Sequence, residues 1–242
     1  MPSKRVKARE AKKNLAAVLI VVAFAAVVFS VNSIGKFIAQ KLISPIAQSG
    51  NAKTQTVSFS LDATQIFAVG AEASSKDSVI TLGGAGFEFN ENVLFSCYSQ
   101  NSQAEAIAQK HSLSVLPLSS DKLSVKLTGT QEQIIPIKDG INLLQASLLD
   151  ALETSALLEQ ADITRTQAKA KAELNAKNLN ETLNKIADSE NSVIKQLKLS
   201  LQCYITAYSS LENTQSEDFL TSYKTLCCTL TREYLSFASA ID

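Results

Sequence analysis

At 242 residues the chain has room for one large domain, or two small ones, beyond a targeting segment. Its 23 basic and 23 acidic side chains cancel, but the first thirteen residues carry Lys4, Arg5, Lys7, Arg9, Lys12 and Lys13 against Glu10 alone, leaving the remainder net acidic by about five charges. An acidic body argues against nucleic acid, whose phosphates reward lysine and arginine, and with no tryptophan and 6% aromatics there is little surface for stacking on bases or sugars.

Residues 1–13 read as a basic cytoplasmic tail. From Leu15 to Val31 the run LAAVLIVVAFAAVVFSV holds no charge. Taken over 14–35, it gives about twenty residues, enough at ~1.5 Å each to cross a ~30 Å hydrocarbon core as a transmembrane helix. The cations in front keep the N-terminus in the cytoplasm, so the expectation is a single-pass protein of the cell membrane with its bulk extracytoplasmic. A cleaved signal peptide would need a shorter core and an AxA-like site, which only Val31-Asn32-Ser33 resembles. Residues 36–60 are expected to be a juxtamembrane segment and linker. Ile34, Phe37, Ile38 and Leu42 alternate with Lys36 and Lys41 at the membrane surface, Pro45 stops the helix, and IAQSGNAKTQTVSFS is polar and small.

Residues 61–130 have short apolar runs divided by Gly, Asn and Ser, the pattern of strands and turns. They hold a faint repeat. Ile66 to Ala71 leads to polar Ser74-Ser75-Lys76-Asp77, a stunted helix, and Gly83-Gly84-Ala85-Gly86-Phe87-Glu88-Phe89. Val93 to Tyr98 leads to polar Ser99–Ser102, the helical AEAIAQK, and a strand over Leu113–Leu118. Two strand–helix–strand halves predict an α+β fold: a four-stranded antiparallel sheet with helices on one face. Alternation at Phe87 and Phe89, and at Leu123, Val125 and Leu127, fits strands with one buried face. The glycine cluster is followed by a strand rather than a helix, so it reads as a tight turn and not a phosphate loop.

These half-repeats resemble the SPOR domain, the small βαβ–βαβ module of bacterial cell-division and sporulation proteins. IFAVGAEASSKDS matches the family's first half at Val69, Gly70 and Ala71, and LFSCYSQNSQAEAIAQ resembles its second half, with Tyr98 in the closing aromatic position and Ala104-Glu105-Ala106 in the helix. The likeness covers Gln65 to Ser119, and the short basic tail and membrane anchor are also common in the family. It implies peptidoglycan binding by an exposed sheet face, here Gln65, Phe67, Ser96 and Tyr98. Two departures weaken that face: Ala68 stands where the family has Gln, and Glu72 where it has an aromatic, removing a donor and a stacking surface.

Residues 131–242 are expected to form an antiparallel helical bundle, with clear periodicity from Asp139 onward. Ile141, Leu144, Leu148, Leu152 and Leu158, with Leu149 beside them, mark one stripe; Val193, Ile194, Leu197, Leu201, Tyr204, Ile205, Tyr208 and Leu211 a second; Phe219, Tyr223, Leu226, Leu230, Tyr234 and Phe237 a third. Ser216 before Glu217 and Asp218 reads as an N-cap. Between the first two stripes, residues 164–188 keep only Leu174, Leu179, Leu183 and Ile186, the pattern of a more exposed helix and a candidate protein-binding face.

No GxSxG, HExxH, Walker or paired-carboxylate signature occurs, and no metal-ligand spacing. The sole histidine, His111, closes a helix with no carboxylate placed to orient it. No catalytic residues, metal or cofactor are expected, and the protein reads as non-enzymatic. Cys97 is expected to be buried as a small hydrophobe. Spacing leaves a bridge from Cys203 to Cys227 or Cys228 open. Two functions follow: a tether binding peptidoglycan through residues 61–130, or a scaffold whose helices bind other membrane or envelope proteins, in which case residues 139–242 alone would self-associate or capture a partner.

Overall fold

The computed structural model describes residues 53–212, 214 and 218–241. The expected basic tail, transmembrane helix, start of the linker and Ser216 cap lie outside them. Among the described residues no helix is long and apolar enough to cross a membrane.

In chain order the elements are β1 (Gln55–Leu61), β2 (Thr64–Glu72), a 3-10 turn at Ala73–Ser75 leading into α1 (Lys76–Thr81), β3 (Phe87–Phe89), β4 (Asn92–Tyr98), α2 (Asn101–His111), β5 (Ser114–Ser120) and β6 (Leu123–Gly129). Four helices follow: α3 (Gln131–Glu159), α4 (Arg165–Leu183), α5 (Ser192–Ser209) and α6 (Phe219–Ile241). The architecture is α+β. The expected four-stranded sheet is antiparallel, in the order β3-β4-β2-β5. That order arises from a β-α-β-β-α-β chain in which each helix carries the chain across a neighbouring strand. The stunted first helix is the six-residue α1. The glycine cluster is indeed a turn, with Gly83 and Gly86 at φ of 77° and 60°, where a side chain would be strained.

Residues 55–60, expected to be linker, instead form a strand that runs on through Leu61. β1 pairs with β6 and carries the ladder of β2 and β5 onward: Thr64 faces Ser120 and Leu61 faces Leu123, with the break at Asp62-Ala63 and Asp121-Lys122. Composition concealed it, because QTVSFSL is polar on one side only. Val57 and Phe59 pack on the core from the other, with Leu61 buried in it.

The Val69-Gly70-Ala71 match has a backbone cause. Between Val69 and Gly70 the β2–β4 register slips by one residue: Val69 faces Ser96 and Gly70 faces Leu94, so Phe95 is the extra residue of a bulge. A Cβ on Gly70 would lie 2.5 Å from the Val93 carbonyl oxygen. Backbone cannot yield as a flexible side chain can. Gly70→Ala is therefore expected to destabilise the fold by about 3 kcal/mol, and an unchanged urea midpoint would show that the bulge can shift.

The helices start on side-chain caps. Thr130 with Gln133 and Thr164 with Gln167 form capping boxes, and the Asn191 side chain accepts from the amides of Val193 and Ile194. The Thr130 cap begins α3 ahead of Pro136, before the apolar periodicity is visible. Most of the stripes are core: Ile141, Leu144, Leu148, Leu152, Leu197, Leu201, Tyr204, Tyr208 and all six aromatic and leucine positions of α6 are buried. Two members turn outward. Leu149 is 37% and Leu174 49% exposed. α4 holds to the bundle mainly through Ala168, Ala172 and Leu179, small residues that let it lie close with little apolar surface.

The sheet is covered on both faces. One face carries Val69, Val93 and Tyr98, which cluster with Val79 of α1 and Ala104 and Ala108 of α2. The other carries Ile66, Ala68 and Cys97, which join the bundle core. Thr64 hydrogen-bonds Tyr234 of α6 at 3.2 Å and Gln145 of α3 at 2.6 Å on that side. Residues Ala52–Asp242 make one compact unit, so 61–130 and 131–242 share a core.

Candidate functional site

The register decides where the expected glycan-binding residues lie. Phe67 pairs with Tyr98, and Gln65 stands two positions before Phe67, so these three share the sheet face that lies under α2. Ser96, opposite Val69, is on the same side. Ser96 and Tyr98 have essentially no exposed surface, Phe67 is half-buried, and only Gln65 is exposed. The sheet face expected to be open is largely closed: Ser96 and Tyr98 are buried beneath the α2 side, Gln65 stays exposed, and α3 and α6 cover the reverse side. Sequence alone did not show that apolar residues alternate on both sides of β2 and that β4 is buried along nearly its whole length.

Tyr98 serves an internal purpose. Its hydroxyl donates to Glu159 Oε2 at 2.7 Å, while Glu159 Oε1 accepts from Lys224 Nζ at 2.9 Å. Lys224 also donates to the Gly83 carbonyl at 3.1 Å and stands 3.7 Å from the centre of the Phe95 ring, on which His111 stacks at 4.8 Å. Strand β4, the turn after α1 and the ends of α2, α3 and α6 thereby meet in one cluster. Burial pulls the Lys224 ammonium below its ordinary pKa, and the Glu159 carboxylate partly offsets this. Burial, then Glu159, pushes the Tyr98 phenol up. Burial, with Lys110 and Lys224 nearby, lowers His111. Each charge is met by a protein partner, so the cluster fastens helices to sheet.

Cys97 is buried, as expected. All four cysteines are free thiols, and Cys203 lines a groove on α5 instead of meeting Cys227 or Cys228. A second polar knot joins α3, α4 and α5: Asp150 accepts from Lys171 at 2.9 Å and Asn175 at 2.8 Å, and Tyr208 donates to the Ser147 carbonyl at 2.7 Å.

The groove with the best claim to a ligand lies between α5 and α6. It measures about 510 Å³ and is lined by Cys203, Thr206, Ala207, Ser210, Thr214, Ser222, Thr225, Leu226 and Thr229. Five of its six hydroxyls, all but that of Ser222, are already engaged. Thr206 donates to Gln202, Ser210 to Ala207, Thr214 to Ser210, Thr225 to Thr221 and Thr229 to Thr225, all backbone carbonyls at 2.7–3.2 Å. What remains is methyl groups, oxygen lone pairs, the Ser222 hydroxyl and the Cys203 thiol on a surface of small side chains. The recurrence of Ser and Thr four residues apart, at 206, 210 and 214 and at 225 and 229, was the signal in the sequence. A second groove of about 350 Å³ lies by Phe89, Leu118, Leu123 and Leu235. Neither touches the Lys224 cluster, and no group of metal-ligating side chains occurs among the described residues.

Comparison with family models, with curated proteins and with solved structures finds no match for this chain.

Proposed function

We propose that the protein is a membrane-anchored, non-enzymatic scaffold whose extracytoplasmic helices bind another envelope protein, with the α5–α6 groove receiving a helical segment of that partner. The observation that carries this is the groove's chemistry. Five of its six hydroxyl protons are spent on its own helices, so it offers few donors to sugars and other donor-hungry ligands. Its small side chains let a second backbone approach closely, as at packed helix interfaces. The apolar run behind six cations supports the anchor, and the covered sheet leaves the helical exterior as the larger free surface. A photocrosslinker at Thr206 or Thr229 is expected to trap a discrete envelope protein, with none trapped from the exposed Glu153 on α3, and Thr225→Trp to abolish the adduct by filling the groove. Equal trapping from Glu153, or an adduct untouched by Thr225→Trp, would count against the groove.

The glycan tether is the second reading, and the β-α-β-β-α-β strand order favours it. Its available contacts shrink to Gln65 and the edge of Phe67. Failure of the exported part to sediment with peptidoglycan, intact or stripped of stem peptides, would remove it.

A further inference from the structure

We propose that Cys97 and Cys228 form a disulfide that staples β4 to α6. Their sulfurs lie 3.9 Å apart, in contact, though the residues are 131 positions apart in the chain. Closing that gap to a bond of ~2.05 Å requires side-chain rotation at sulfurs already facing each other. The other thiols are directed elsewhere. Cys227 points at α3, donating to the Ala151 carbonyl at 3.4 Å, and Cys203 lines the groove beside Glu233. The Cys97–Cys228 contact thus joins the sheet to the helix that covers it.

The reaction balances with a low-molecular-weight disulfide such as glutathione disulfide. One protein thiolate attacks it and expels one small thiol; the second protein thiolate then displaces the other, and the two protein protons end on the released thiols. Neither cysteine has exposed surface, and burial raises Cys228, so the folded thiols are poorly reactive. The bond therefore forms while α6 is still open, during folding. The staple has a use only outside the reducing cytoplasm, and to that extent it rests on the export proposed above.

The test supplies its own oxidant. The full chain in detergent micelles is unfolded, reduced, refolded in a mixture of glutathione and its disulfide, alkylated, and peptide-mapped on the fraction with a cooperative thermal transition. One cross-link, Cys97 to Cys228, is expected, with Cys203 and Cys227 alkylated. Cys203→Ser and Cys227→Ser should retain the link and Cys228→Ser lose it. Four alkylated thiols, or a link from Cys97 to Cys227, would overturn the staple while leaving the membrane anchor untouched. The anchor is tested separately by the compartment of a reporter fused after Asp242.

Discussion

Replacing Lys224 with methionine should cost about 3–5 kcal/mol, a large share of the ~5–15 kcal/mol that holds a domain together. The lost attraction is the smaller part. Glu159 has only 9% of its side chain exposed, and without Lys224 its Oε1 would be a carboxylate oxygen with no cation and almost no water. The double variant Lys224→Met, Glu159→Gln should recover most of the loss. The amide carries no charge, and its oxygen can still accept from Tyr98. Urea unfolding of the wild type, both single variants and the double variant closes the cycle. A double variant as unstable as Lys224→Met would mean that lost packing around the lysine stem, and not an orphaned charge, is the cause.

That cluster shows where reading the sequence stops. Glu159, Lys224, Tyr98 and His111 are ordinary polar residues at distances in sequence that no spacing rule connects, and only the docking of α6 on β4 makes them neighbours. Local signals fared better. The strand–helix–strand repeat gave the antiparallel sheet, and the steps of three and four in Phe219 through Phe237 marked the buried face of α6. Failures came where a local pattern fits two environments. Alternation in QTVSFSL is outweighed by small polar residues, so all of β1 but Leu61 reads as linker. Leu174 and Leu149 sit in helical register but at the margin of their faces, where register cannot distinguish core from surface. The α5–α6 groove was obscured for a similar reason, since serines and threonines beside an apolar stripe look like a solvated face until two helices set them opposite each other.

Cutting the chain after Thr130 should abolish the native fold of the β-rich piece, which is the largest effect expected of any change here. Read as a free-standing module, residues 61–130 would survive the cut. In the structure Ile66, Leu94, Leu123, Val125 and Leu127 are buried in the core shared with the helices. Exposing five such side chains forfeits on the order of 10 kcal/mol, at ~1.5–3 kcal/mol each, as much as the whole stability of a typical domain. The isolated piece should show no cooperative thermal transition by circular dichroism, while residues 53–242 should show one. A sharp transition in the short piece would restore the two-domain view. The same interface changes what self-association of residues 139–242 would mean. That fragment bares the face of α6 carrying Cys228, which meets Cys97, and Tyr234, which meets Thr64. Aggregation through this stripped core would imitate a scaffold's interaction, so binding by the helices has to be judged in a chain that keeps its sheet.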